Sequence, residues 1–343
     1  MASKRSVSMR DVAALAGVSI GTVSNVLNNP DVVSPATCEK VTAAIEKLGW
    51  VRNESARQLR AGRSNAVGII VMDVQNPFFT DLIRGAEKYC YDHGLSVYIG
   101  NSDQIPEREA SLLDRFESSR VRGVVLAPIA PQTDAAERLR RLGIPVVLVD
   151  RANNAGFCTV GMDDIEGGRV AVKHLLDLGH RRIAYVGGPS TLSQVANRRR
   201  GAEIALDSVP DAEPLLTVST PTLDIASGVT AAQELAALPD VERPTAVFGA
   251  NDMVAIGMLQ GFFSCGLRVP EDVNIIGYDD IEFAAAAAVP LSSIRQPRHG
   301  IGRTGAQLLV EEIDAADGKC EHTHQTVLLS PELVSRRSTS AVA

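Results

Sequence analysis

"RDVAALAGVSIGTVSNVLN", residues 10–28, decides how the N-terminal end folds. Ser8 is placed to cap a first helix, with Asp11 three residues on as its acidic capping-box partner. Val12, Leu15 and Ala16 supply that helix's inner face. Gly17 breaks it, and Ser19 caps a second helix after a very short turn. In the second helix Val23, Val26 and Leu27 point inward at helical spacing. Ser19, Ile20, Gly21, Thr22, Ser24 and Asn25 are left on or near the open face. This is the pattern of a helix-turn-helix, whose second helix can enter the major groove of DNA. A third helix opens at Ser34-Pro35, carries Cys38, Val41, Ile45 and Leu48 as an apolar stripe, and ends at Gly49.

Charge points the same way. The net charge is −7, yet residues 1–63 carry nine Lys or Arg against five Asp or Glu. The rest of the chain therefore stands at −11. A basic head on an acidic body keeps phosphate attraction local to the head. Next comes NESARQLRAGRS, residues 53–64. Asn53 can cap a turn or two of helix, but so short a helix is marginal alone. It is expected to order with DNA and a second copy. Leu59, flanked by Arg57 and Arg60, has the form of an apolar wedge with phosphate clamps, suited to opening a minor-groove base step.

The other 280-odd residues are ample for a large core, since the chain is 343 residues long and 45% hydrophobic. Apolar runs at 66–73, 96–100, 123–127 and 145–150 read as strands, with helices near 79–93, 107–119 and 134–142. A second series has strands near 182–187, 215–218, 245–249 and 273–278. Alternating strands and helices predict two α/β lobes, each a doubly wound parallel sheet. Ligands in such sheets bind at the carboxyl ends of strands. That rule singles out Asp73, Asp150, Asn251 and Asp279, each just after an apolar strand. The boundaries expected are a head at 1–52, a hinge and linker at 53–65, and a core at 66–343. Lobe 1 takes about 66–161 and 294–327, and lobe 2 about 162–293 and 328–343.

Residues 10–64 resemble the head of the lactose-repressor (LacI) family. The shared elements are Asp-Val-Ala, Ala-Gly-Val-Ser, Thr-Val-Ser and Val-Leu-Asn, followed by Asn-x-x-Ala-Arg-x-Leu-Arg-x-Gly-Arg. The resemblance continues to about Ser338. It implies that the second helix reads the major groove. It also implies that Asn53, Ala56, Arg57, Leu59 and Arg60 form a hinge, with Leu59 inserted at the centre of a palindromic operator. Gly21 and Asn25 depart from the common pattern of a small residue such as Ala and an Arg. Asn25 can pair bidentately with adenine, whereas Arg favours guanine.

The body resembles the sugar-binding clamshell that this family shares with periplasmic binding proteins. By that resemblance Asn76, Phe78, Phe79, Asp150, Arg151, Arg198, Leu223, Asn251, Asp279 and Gln296 join Asp73 as effector contacts. Asp, Asn, Gln and Arg can pair with sugar hydroxyls in forked geometry, and Phe78 and Phe79 can pack on a sugar ring. Leu223 stands where relatives often carry an aromatic. Leu192 and Gln194 stand where a purine-responsive member would carry other polar groups. Three crossovers are implied, near 161–163, 293–297 and 326–330. The chain ends without a leucine-heptad tail, which favours a dimer over a tetramer.

Rival functions are less well supported. A Walker loop, a GxGxxG after a strand, a GxSxG and an HExxH are all missing, which argues against a sugar kinase or dehydrogenase. No cofactor is expected. No run of about 18 apolar residues predicts a membrane span. The N-terminus has no apolar signal segment, so a cytoplasmic protein is expected rather than a secreted solute receptor. Five scattered cysteines without a CxxC fit reduced thiols. Cys320-Glu-His322-Thr-His324 reads as an exposed loop with three soft ligands but no fourth, so no metal is expected. Ala284–Ala288 reads as a tightly packed wall. The remaining alternatives are a member that responds to a nucleoside or purine, or to a protein corepressor.

Overall fold

The computed structural model describes residues 7–50, 64–130, 134–151 and 156–342, in two compact units that divide at residue 62. The first unit holds α1 (Met9–Ala16), α2 (Ile20–Asn28) and α3 (Pro35–Leu48). Ser8 and Asp11 close a reciprocal capping box on α1, and Gly17 ends it at φ +67°. Ser19 Oγ accepts from Thr22 N at 3.0 Å and starts α2. Between α2 and α3 a single 3-10 turn, Pro30–Val32, stands where no element was expected.

The small core of this unit is Val12, Ala13, Val23, Val41, Ala44 and Trp50. It differs from the periodicity reading in several places: Ala44 and Trp50 join the buried set, and Ala16, Val26, Leu27, Ile45 and Leu48 are only half-buried around it. Leu15 is exposed and Ala13 is buried in its stead. The buried side of α1 is centred on Val12 and Ala13, which turns Leu15 to solvent.

The second unit contains two six-stranded sheets. In lobe 1 these are β1 (Ala66–Val71), β2 (Ser96–Asn101), β3 (Val124–Leu126), β4 (Val146–Val149), β5 (Cys158–Met162) and β11 (Thr326–Leu329). Their order is β11-β5-β4-β3-β1-β2, and every pairing is parallel. Lobe 2 has β6 (Ile183–Gly187), β7 (Leu216–Ser219), β8 (Ala246–Gly249), β9 (Asn274–Asp279), β10 (Ser292–Arg295) and β12 (Glu332–Val334), in the order β12-β10-β9-β8-β6-β7. The inner strands are continuous apolar runs buried on both faces, as parallel sheets covered by helices require.

Helices α4 (Pro77–Asp92), α5 (Pro106–Ser118) and α6 (Asp134–Arg141) belong to lobe 1. Helices α7 (Asp164–Asp177), α8 (Ser193–Asp207), α9 (Ile225–Ala236), α10 (Asp252–Ser264) and α11 (Glu282–Ala286) belong to lobe 2. Helix α12 (Arg298–Ala316) returns to lobe 1 and packs on α4. The chain changes lobe after Met162, after Arg295 and after Leu329, so the last two crossovers fall at the far ends of the ranges read from the sequence.

One strand departs from the all-parallel expectation: β12 is antiparallel to β10. The first two crossovers each leave a strand and enter a helix that runs back from the strand ends. The third passes straight from β11 to β12, so β12 must start at the carboxyl edge of lobe 2. The alanine run is also not the packed wall expected, because only Ala284 is buried.

Helices α7 and α8 cross at very close range. A Cβ on Gly168 would overlap the Arg198 carbonyl, and one on Gly201 would overlap the Ile165 carbonyl. This crossing sets the distance between Asp164 and Arg198. Gly168→Ala is therefore expected to cost about 1–3 kcal/mol by overpacking, read as a lower urea midpoint of the full chain. An unchanged midpoint would mean that the two helices part freely.

Candidate functional site

Two surfaces carry the residues singled out in the sequence. In the first unit, Ser19, Ile20, Gly21 and Asn25 are exposed at and along α2, with Thr22 and Ser24 half-buried beside them. Ser19 and Thr22 hydroxyls lie 2.9 Å apart, and Asn28 Nδ2 donates to the Ser24 carbonyl and hydroxyl at 2.8 and 3.2 Å. These bonds hold a polar face whose N-terminal amides favour phosphate. Asn53, Ala56, Arg57, Leu59 and Arg60 lie outside the described residues.

In the second unit the strand ends converge between the lobes. Asp150 follows β4 and Asp279 closes β9, with φ of +56° and +106°. In this left-handed region the chain turns sharply at each strand end, a conformation that concentrates at functional sites. Arg198, on the inner face of α8, lies among the acids and is 3% exposed. Its Nε donates to Asp164 Oδ1 at 2.8 Å and its Nη1 to the Ala250 carbonyl at 2.7 Å. Asp279 Oδ1 lies 4.0 Å from Nη1, and the guanidinium carbon sits 3.7 Å from the Tyr278 ring centroid. Gln296, on the second crossover, donates to Asp279 Oδ1 at 2.7 Å.

Burial sets the electrostatics here. It pushes the Asp150 carboxyl well up; Arg198 opposes this, and Asp164 and Asp279 add to it. Asp164 is raised by burial against the pull of Arg198. Asp279 is raised by burial to about 6, again against Arg198. Burial also works against the charge on Arg198, but Asp164, Tyr278, Asp279 and Asp150 outweigh it and hold the guanidinium protonated. Three carboxyls thus crowd one buried guanidinium, with weaker pulls from Arg151 on Asp150 and from Arg298 on Asp279, in a place where water does not stabilise them.

Among the described residues, side chains reach across between the lobes. Gln194 Nε2 on α8 lies 3.4 Å from Asp150 Oδ2 and 3.7 Å from Met72 Sδ. Arg298, at the start of α12, donates to Asp81 of α4 at 2.9 Å and to the Asp279 carbonyl at 2.9 Å.

The structure therefore brings together Asp150, Arg198, Asp279 and Gln296. The other residues singled out have local duties. Asn76 caps α4 through Phe78 N at 3.0 Å, and Asp73 Oδ1 accepts from Gln75 N at 2.8 Å. Phe78 and Phe79 are buried edge to face, their ring centroids 4.9 Å apart. Arg151 donates to the Ala130 carbonyl at 2.7 Å. Asn251 caps α10 through Val254 N at 2.9 Å and donates to the Leu223 carbonyl at 3.1 Å. Its neighbour Asp252 accepts from Ile281 N and Ser293 Oγ, at 2.8 and 2.7 Å, and braces the end of β9.

Sequence reasoning missed Asp164, Tyr278 and Arg298. Asp164 reads as one more acid in a helix's first turn, and Tyr278 as a strand residue. Only the α7–α8 crossing and the end of β9 place both on Arg198. Gln194 stands, by the family resemblance, where purine-responsive members differ, but its reach across the cleft has no signature in the chain.

An exposed helix-turn-helix on a two-lobed core with a polar cleft defines a ligand-gated DNA-binding regulator. Residues 8–53 match the lacI family of bacterial regulatory proteins, and residues 172–339 match a periplasmic binding protein-like domain. The HTH-type transcriptional repressor PurR of Photobacterium profundum is 33% identical over 96% of this chain and 98% of that protein. The ribose operon repressor of Escherichia coli K12 is 33% identical over 96% of this chain and 99% of that protein. Among solved structures, the lac repressor dimer bound to operator and an anti-inducer superposes with a TM-score of 0.85 at 27% identity, covering 98% of this chain and 100% of that one. A regulator from Enterococcus faecium with bound ribose superposes with a TM-score of 0.72 at 31% identity, covering 81% and 100%. The chain belongs to the lacI family and is a DNA-binding transcription regulator, not an enzyme. No helix among the described residues is long and apolar enough to cross a membrane.

Proposed function

We propose that this chain is a cytoplasmic, homodimeric repressor of carbohydrate-use genes, controlled by a sugar or polyol held between its lobes. One observation carries the effector class. Asp150, Asp164 and Asp279 surround the single guanidinium of Arg198, and Gln296 Oε1 is buried with no hydrogen-bond partner among the described residues. Acceptors outnumber donors at the site, whose groups without a hydrogen-bond partner among the described residues also include the buried Tyr278 hydroxyl. A polyol supplies several hydroxyl donors in a small volume and can also accept from Arg198. Phe79, Asp73, Asn76, Arg151, Asn251 and Leu223 complete the proposed wall around it. The ribose-bound neighbour and the ribose operon repressor support the same class. The similarity to PurR repressors favours a second reading, a purine effector.

On DNA, α2 of each subunit reads one half of a palindrome, and Leu59 from each hinge wedges open its centre. Closure of the lobes on the effector shifts the dimer contact and with it the hinge. Taking operator occupancy from 99:1 to 1:99 needs about 5.5 kcal/mol of preference between states. A tenfold preference at one site provides about 1.4 kcal/mol, so both subunits must contribute strongly.

The test starts by selecting an operator from random duplexes with the full chain, then titrating pentoses, hexoses, polyols and purines. A sugar that raises the melting temperature and changes operator affinity supports the proposal; a response to purines alone replaces it with the second reading. Leu59→Ala is expected to weaken operator binding by at least tenfold while leaving random-sequence binding nearly unchanged. Equal losses on both would remove the wedge.

A further inference from the structure

Far from the cleft, at the amino-terminal edge of the lobe 1 sheet, four ligand-type side chains from three separate segments meet. Cys158 opens β5, Glu312 lies in the last turns of α12, and His322 and His324 precede β11. Their ligand atoms all lie within 4.8 Å of one another. Cys158 Sγ is 3.1 Å from His322 Nε2 and 3.8 Å from His324 Nδ1. Glu312 Oε1 is 3.2 Å from His324 Nδ1 and 3.9 Å from His322 Nε2. A zinc-sized ion bonds sulfur at about 2.3 Å and nitrogen or oxygen at about 2.0–2.1 Å, so tetrahedral geometry separates its ligand atoms by roughly 3.3–3.6 Å. The observed spacings bracket that range.

We propose that Cys158, Glu312, His322 and His324 form a tetrahedral site for a zinc-class divalent ion.

The surroundings fit. One thiolate, one carboxylate and two neutral imidazoles cancel the charge of a divalent ion. Binding replaces the Cys158 thiol proton with the metal and releases it to solvent. The other ring nitrogen of His322 faces Glu311 Oε2 at 3.8 Å, the kind of carboxylate partner that orients a metal-bound histidine. Gln325 N points at Cys158 Sγ from 3.3 Å, as it would toward a thiolate. Cys158 and Glu312 are buried and the His322 side chain is 8% exposed, while the His324 side chain is 42% exposed and leaves a path for the ion. Cys320, the cysteine of the sequence tract, stands apart: it is exposed and its Sγ is 3.9 Å from the Glu311 carbonyl. The expectation of no fourth ligand is thus corrected by Cys158, which lies 164 residues from His322 in the chain. An ion here ties the edge strand β11 to β5 and α12.

The test uses the full chain without a purification tag, stripped with chelator, loaded with zinc or cobalt and desalted. About one ion per chain is expected. The cobalt form should show tetrahedral ligand-field bands and a thiolate charge-transfer band. Zinc at a hundredfold excess over Kd should raise the melting temperature by about 3–5 °C. Cys158→Ser should remove the charge-transfer band, His322→Gln should reduce retention at least tenfold, and Cys320→Ser should change neither. A wild-type chain that retains below about 0.1 ion, or a charge-transfer band that survives Cys158→Ser and is lost in Cys320→Ser, overturns the site.

Discussion

Arg198→Ala is expected to destabilise the chain by about 3–5 kcal/mol, the range for stripping one partner from a buried ion pair. The guanidinium is nearly inaccessible, and its removal orphans several groups at once. Asp164 loses its 2.8 Å donor, the Ala250 carbonyl its 2.7 Å donor, and Asp279 and Asp150 the strongest of the positive charges that offset their burial. Coulomb attraction does not win outright even in the wild type, because burial already lifts all three carboxyls despite the cation. Without the cation they can escape only by taking up protons. The loss should therefore be greater at about pH 8 than at about pH 5. Urea unfolding of both proteins at the two pH values checks this. A loss under about 1 kcal/mol, equal at both, would mean that solvent reaches the site. The variant's heads should still bind random DNA, whereas the operator should no longer respond to the effector.

Asp279→Asn has the second-largest expected effect, on pH dependence. Burial raises the folded-state value of Asp279 to about 6, from an unfolded value near 3.8. Between these values the folded chain holds a proton that the unfolded chain has released. The resulting stabilisation is full below about pH 3.8 and is lost as pH rises through about 6; the group alone accounts for about 3 kcal/mol. Asn carries no such proton, so the stability difference between wild type and variant should fall across this window. Ligand binding should move the opposite way. A hydroxyl that donates to Asp279 prefers the ionised carboxylate, so effector affinity should rise about tenfold from pH 5 to pH 7. The variant should bind weakly and independently of pH. Wild-type affinity that is flat over this range would exclude an ionised Asp279 as the acceptor.

Much of this is legible along the chain because its causes are local. Ser8, Asp11, Gly17 and Ser19 act over three or four residues, and each does in the fold what its spacing indicates. The strand ends at Asp150 and Asp279 were equally readable, since apolar runs stop where the backbone must turn. Leu15 shows the limit. Periodicity names a helix face, but the neighbour that packs there decides whether Leu15 or Ala13 fills the contact.

The sequence by itself determined a helix-turn-helix head, two α/β lobes and a set of polar residues at strand ends, because caps, turns and periodicity are short-range physics. The tertiary structure alone decided which of those residues meet. Arg198 reaches Asp164 because Gly168 and Gly201 let two helices touch. Gln194 reaches Asp150 because two separately folded sheets face one another. Cys158 reaches His322 because parallel pairing sets β5 beside β11. Such meetings depend on register and packing between segments far apart in the chain, and no local pattern encodes them.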